Sequence, residues 1–185
     1  MKKAFNSILI CLLFTFSLHA CADRKKAEPE IYLIPAGYEG SFFVVFDVST
    51  GKKPKHEGKS RVYQIPVSGI LETQLPFNKG WLASTDIKYF FLNNNGSRTP
   101  ITKRWLGSVP NTPENRADPN IYIFSGGVGT LGLGMSNSTN RCSISFSYYI
   151  VATKSRVLNS LNKIKLTDYY VKPPYPCSKK PSISN

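Results

Sequence analysis

Acidic residues are scarce in this chain: 11 Asp and Glu stand against 24 Lys and Arg, for a formal net charge of +13. The shortage disfavours chemistry that needs carboxylates in groups. No cluster of acids has the spacing of a calcium loop, and no Asp or Glu occurs between Asp118 and Asp168. A glycosidase built on two carboxylates would have to assemble them across the fold, because such pairs meet in space rather than in sequence. That hydrolase is the enzymatic alternative the residues leave open. Histidine is rarer, with only His19 and His56, and no serine lies in a G-x-S-x-G elbow. Long apolar runs are missing too. The run Ile8 to Leu18 is shorter than the roughly 20 apolar residues a membrane helix needs.

That run follows Lys2 and Lys3, which is the charged-then-apolar layout of a secretory signal. Next comes Leu18-His19-Ala20-Cys21, which resembles the bacterial lipobox. An aliphatic residue stands three positions before the cysteine and a small one directly before it, while His19 occupies a position where the pattern has a small or hydroxyl residue. The expectation is a signal peptide over 1–20 and a lipidated Cys21, carrying a diacylglycerol thioether and a third chain of the palmitate type. Two chains already anchor a protein stably, so three hold it permanently. An ordinary signal cut after Ala20, or an uncleaved anchor, are the alternatives. The expected location is the cell envelope, with the membrane as partner and the outer membrane as the expected side.

Loss of the signal leaves 165 residues, enough for one domain. Lys2 and Lys3 leave with it, so 22 basic residues face 11 acidic ones. The basic residues are scattered, with local clusters at Arg24-Lys25-Lys26, Lys52-Lys53-Pro54-Lys55, Lys103-Arg104 and Lys179-Lys180. None sits among regularly interleaved aromatics, so a nucleic-acid partner is disfavoured. Solvated loops explain the surplus, and attraction to phosphate-rich lipid or glycan is the sharper reading. Cys142 and Cys177 remain as a pair, which in an oxidising envelope is most simply a disulfide. It would close a loop of about 36 residues and contribute about 3–4 kcal/mol. Two free thiols are the alternative, since His56 alone makes a metal site a poor fit.

Residues 22–30 are charged and poor in apolar side chains, a tether after Cys21, with order expected from Ile31. From there short β-prone runs alternate with Gly, Pro and Asn. Ser41 to Val48 is apolar on both faces, the mark of a central strand. Ser60 to Pro66 and Gly69 to Thr73 read as short strands, and Ile87 to Leu92 as a buried one. Asn95-Gly96 then supplies the tight turn that would bring Ile101 to Trp105 back as a hairpin. Ser108 to Asn120 reads as a long loop. Over Cys142 to Ala152, Ile144, Phe146, Tyr148 and Ile150 alternate with Ser143, Ser145 and Ser147, a half-buried strand. Val157, Leu158, Leu161 and Ile164 fall at helical spacing. The sum is a mainly β domain over 31–172, a two-layer antiparallel sandwich with one short C-terminal helix, followed by a proline-rich tail over 173–185.

Several of these runs carry a resemblance. Tyr32-Leu33-Ile34-Pro35-Ala36-Gly37-Tyr38-Glu39-Gly40, Val44-Val45-Phe46-Asp47, Arg61-Val62-Tyr63-Gln64-Ile65-Pro66 and Gly69-Ile70-Leu71-Glu72-Thr73-Gln74 are similar to a family of small bacterial envelope proteins that carry a domain of unknown function. The likeness covers about Ile31 to Ile101. It implies no activity, and the order of elements resembles prealbumin-like sandwiches by analogy of fold only.

Gly127-Val128-Gly129-Thr130-Leu131-Gly132 formally spells a dinucleotide fingerprint. Neither the helix nor the acidic residue about twenty positions on is present, so a glycine-rich strand or loop is expected and no cofactor is implied. His56 lies in a charged loop without a partner in sequence. Of the 23 aromatics, most belong in a core, while Trp81 and Trp105, flanked by loop residues, are candidates for a ligand surface. Tyr38 and Tyr175 are weaker ones. The function these features support is a non-enzymatic envelope module that presents a surface to a glycan, a lipid or another envelope protein.

Overall fold

The computed structural model describes residues 25–137, 140–159 and 164–171. The strands are β1 (Glu30–Pro35), β2 (Gly40–Val45), β3 (His56–Glu57), β4 (Ser60–Gln64), β5 (Ile70–Glu72), β6 (Ile87–Leu92), β7 (Arg98–Pro100), β8 (Thr102–Trp105), β9 (Ile121–Asn137) and β10 (Asn140–Thr153). They form two sheets, β3-β4-β1-β6-β7 and β5-β2-β10-β9-β8. Three short helices accompany them, α1 (Pro113–Ala117), α2 (Lys154–Leu158) and α3 (Leu166–Tyr169). Thr112 caps α1 and Thr153 caps α2, each accepting a backbone N–H at 3.3 Å.

The expected two-layer β architecture is present, but its sheets are mixed rather than purely antiparallel. β1 runs parallel to both β4 and β6, β5 parallel to β2, and β8 parallel to β9. The cause is the path of the chain. It weaves from one sheet to the other and returns in the same direction, so antiparallel pairing is left to the three hairpins and to β2 with β10. β2 is an internal strand, as its apolar run predicts. Phe42 and Val44 enter the interior between the sheets, and Phe43 and Val45 are buried on the opposite face.

Four expectations need correction. Packing starts before Ile31, because Ala27 and Glu30 are buried and Lys26 bridges to Trp81. The hairpin through Asn95-Gly96 returns over Arg98–Pro100, not Ile101 to Trp105. Ile101 N–H still donates to Tyr89 O at 2.9 Å, its side chain turns into the core, and Thr102–Trp105 then crosses to the second sheet beside β9. In β6 only Tyr89 is buried. The loop over 108–120 contains α1.

The alternation in β10 is real, but both of its faces are covered. Ile144, Phe146 and Tyr148 pack with Phe43, Val45 and the C-terminal residues Ile164, Leu166 and Tyr170 on the outer face. On the other face Tyr149 and Val151 join the interior, and Ser147 is buried while Ser143 is exposed. The segment over 164–171 is fastened by Ile164 N–H to Ser41 Oγ at 2.7 Å and by Tyr170 O–H to the Glu72 carboxylate. Residues 160–163 lie outside the described residues, and with them the middle of the expected helix. The glycine-rich run is part of β9, as expected. A Cβ at Gly126 would fall inside the Tyr148 ring and one at Gly129 against Phe146, so these glycines seat two rings of β10.

Between the sheets, toward the Glu30 end of β1, lies a polar knot. Glu30, buried at the start of β1, accepts from Tyr32 O–H at 2.8 Å, Asn78 Nδ2 at 2.9 Å and Tyr63 O–H at 3.4 Å. Tyr149 O–H, from the other sheet, donates to Tyr32 Oη at 3.0 Å. The Tyr32 ring lies 5.0–5.1 Å from those of Tyr63, Tyr89 and Tyr149. Aromatic pairs at such spacing are worth about 0.5–1.5 kcal/mol each beyond the area they bury.

Tyr32→Phe removes a donor from Glu30 and an acceptor from Tyr149. It is expected to cost about 1–3 kcal/mol, read as a lower urea midpoint at unchanged slope. Burial raises all four phenols, Tyr149 to about 12 and Tyr32, Tyr63 and Tyr89 well above the ordinary value. The folded state therefore favours neutral phenols, and this stabilisation is intact below about pH 10, the ordinary tyrosine value. It drains away as pH climbs through the raised values. An alkaline titration should show these phenols ionising in one step with loss of the circular dichroism of the sheets, not ahead of it.

Candidate functional site

Where β7 ends and β8 leaves for the second sheet, the sandwich opens. The cavity there, about 580 Å³, is lined by β6 (Ile87, Lys88, Tyr89, Phe90), by Pro100 and Ile101, by Lys103, Arg104 and Trp105 of β8, and by Ser84. Local sequence explains the opening. β7 is only three residues long, and the crossing at Ile101 parts the strands while its side chain plugs the floor. Trp105 is 62% exposed. Lys103 Nζ stands 5.9 Å from the Trp105 ring centre, and the Arg104 guanidinium 5.3 Å from that of Tyr122, both within cation–π range.

Behind this wall Asp118 is fully engaged. It pairs with Lys154 Nζ at 2.7 Å and accepts from Tyr122 O–H at 2.8 Å and from the Asn120 backbone at 3.0 Å. Lys154 first, then Asn120 and Tyr122, hold its carboxyl well below the usual range. Asp118 thus answers Lys154 and leaves Lys88, Lys103 and Arg104 as the charges of the cleft. Among the described residues no carboxylate lines it. Cations beside an exposed indole suit a ligand that carries anionic groups on stackable rings.

A second cleft of about 420 Å³ lies between β4 and β5. Val62, Ile65, Pro66 and Leu71 form its apolar part, and Gln64, Thr73, Lys52, Lys53 and Lys55 its polar part. Its charges are again all positive. Two of the basic clusters visible in the sequence, Lys52-Lys53-Pro54-Lys55 and Lys103-Arg104, therefore line concave surfaces.

The two tryptophans are not brought together. Trp105 lines the larger cleft, whereas Trp81, 55% exposed, sits where the chain enters the domain. Tyr38 is structural. Its hydroxyl donates to Ser41 O at 2.6 Å, it packs toward Gly69, and burial pushes its phenol up to about 12. His56 Nε2 is 3.5 Å from Glu28, which Arg61 engages at 2.8 Å. Arg61, and less so His56, keeps the Glu28 carboxyl low. Cys142 is buried beside Ile144 and Leu166, while Cys21, Tyr175 and Cys177 lie outside the described residues. Lys88 and Phe90 are site residues the sequence reading missed. The one signal was a lysine inside an otherwise apolar strand.

No group of three His, Cys, Asp or Glu among the described residues is placed to hold a metal ion. Among the same residues no helix is long and apolar enough to cross a membrane.

Residues 26–155 match the model of a family described as "Family of unknown function (DUF6843)". No curated protein matches the chain. A crystal structure of a "putative lipoprotein from Bacillus anthracis" is similar at 19% identity and a TM-score of 0.47, over 76% of this chain and 81% of that one. A likeness that loose carries no functional argument.

Proposed function

We propose, for a chain that belongs to this family of unknown function, the role of a lipid-anchored envelope module that binds an anionic glycan and carries out no chemistry on it. The observation that supports the binding reading is the larger cleft. Each charged side chain lining it is a cation, and exposed Trp105 offers a ring face on which a sugar can stack. Phosphate or carboxylate groups along a glycan would pair with Lys88, Lys103 and Arg104. Hydrolysis by two carboxylates would need acids in a cleft. Five of the described acids instead pair with Arg61, Arg98, Arg156, Lys26 and Lys154, Glu30 and Glu72 accept from tyrosines, and the exposed Asp47, Glu114 and Asp168 line neither cleft.

The anchor rests on Lys2, Lys3, the apolar run and the Leu18-His19-Ala20-Cys21 spacing. The proposed Cys142–Cys177 bond is supported by the fold. Cys142 shares an outer-face cluster with Leu166 and Tyr170, and Val171 is six residues from Cys177, a span of up to about 20 Å. Such a bond would clamp the C-terminal segment over the second sheet.

Two measurements test these assignments. Titrated with a phosphomannan, the tryptophan fluorescence should change in a salt-dependent way, and with neutral dextran it should not. Lys103→Glu with Arg104→Glu should weaken binding at least about tenfold, as expected for losing two charge-assisted contacts. Equal response to both polymers would contradict the site. Intact-mass spectrometry of the protein from its envelope should show a chain that starts at Cys21, bears acyl groups and has no free thiol, fractionating with the outer membrane. Residues 1–20 retained without fatty chains would remove the anchor.

A further inference from the structure

The end of the sandwich that carries Trp81 lies a few residues from the proposed lipid, and its construction is specific. Trp81 N–H donates to Lys25 O at 3.0 Å, and Ala27 N–H donates to Trp81 O at 2.9 Å. Lys26 pairs with Trp81 as a parallel bridge. Gly80 allows this approach. Its φ is +137° and a Cβ there would strike Lys25 O, so residues 79–81 lie flush against the incoming chain only with glycine at that position. The indole is nevertheless 55% exposed. Its backbone is tied to the first described residues, while the ring itself stays largely in solvent.

Charge at this end is one-sided. Lys25 and Lys79 are exposed, Asp86 is answered by Lys26 at 3.1 Å, and Glu28 by Arg61 at 2.8 Å. The chain from Cys21 to Lys25 spans four residues, at most about 14 Å even when extended. We infer that Trp81, with Lys25 and Lys79, rests on the anionic headgroup surface of the bilayer that holds Cys21, so that the domain stands on the membrane in a fixed orientation. The inference rests on the proposed lipidation.

Tryptophan suits the headgroup level because its ring is apolar and its N–H is polar. Lysines at that surface are drawn to anionic lipid, and the attraction fades within a Debye length of about 8 Å. A tether this short keeps them close to that range. Strand polarity then sets what faces away. Glu30 of β1 and Ile87 of β6 mark the membrane end, because the two strands are parallel and in register. Pro35 and Leu92 mark the opposite end of these two strands.

The test uses the full acylated protein in liposomes of phosphatidylcholine and phosphatidylglycerol, with lipids brominated near the headgroup as quenchers. Trp105→Phe leaves Trp81 as the sole reporter, and Trp81→Phe leaves Trp105. The expected result is quenching of Trp81 several-fold stronger than that of Trp105, with a blue-shifted emission. Lys25→Glu with Lys79→Glu should bring Trp81 down to the Trp105 level. Equal quenching in acylated protein overturns the inference while leaving the anchor intact. Trp81 unquenched in liposomes yet protected from oxidation in native envelopes would assign the surface to a protein and overturn it too. Absence of acyl chains in the intact mass would overturn the anchor itself.

Discussion

A carboxylate buried between two sheets has to be met by donors or it destabilises the fold by several kcal/mol. Glu30 is met by Tyr32, Tyr63 and Asn78, and Tyr32 in turn receives Tyr149 from the opposite sheet. The knot therefore joins β1, β4, the crossing segment after β5, and β10. It constrains where each of them can sit, because a shift of one residue in any strand would turn a partner to the other face. The surrounding apolar residues, among them Ile34, Phe42, Val44, Ile123 and Val151, supply the burial energy. The polar atoms select one arrangement out of the many that apolar packing alone would tolerate.

With the interior fixed, functional surface is left to the margins. The chain changes sheets repeatedly, and each crossing leaves a place where strands diverge. One such crossing, at Ile101, opens the cleft of Trp105. Another, between β4 and β5, opens the cleft of Lys52, Lys53 and Lys55. No acid lines either cleft among the described residues, so the charge of these concavities is positive. The C-terminal segment meanwhile covers the outer face of β2 and β10, which would otherwise expose Phe43, Phe146 and Tyr148.

Much of the strand pattern was legible because period and turn chemistry are local. Ile87 to Leu92 and the Asn95-Gly96 turn stand where the residues place them. What failed was nonlocal. The apolar alternation of β10 shows two faces but cannot say that a tail covers one of them, and serine reads as solvent-facing although Ser147 is buried. Parallel pairing was invisible because it depends on the order in which the chain visits the sheets. Trp105, a candidate because of the residues that flank it, does line a cleft. Trp81 showed the same signal, yet the fold puts it at the chain entrance, a separation that no spacing in sequence encodes. Lys88 and Phe90 were hidden inside a strand whose apolar character pointed inward.

The central claim is that a braced interior leaves recognition to the cleft between β6 and β8. Backbone and indole resonances followed by nuclear magnetic resonance, while an anionic oligosaccharide is added, test it most directly. The account predicts shifts confined to Ser84, Ile87, Lys88, Phe90, Lys103, Arg104 and the Trp105 indole, with Tyr32, Tyr63 and Tyr149 unmoved. Shifts centred on the tyrosine interior, or none at the cleft under saturating ligand, would contradict it.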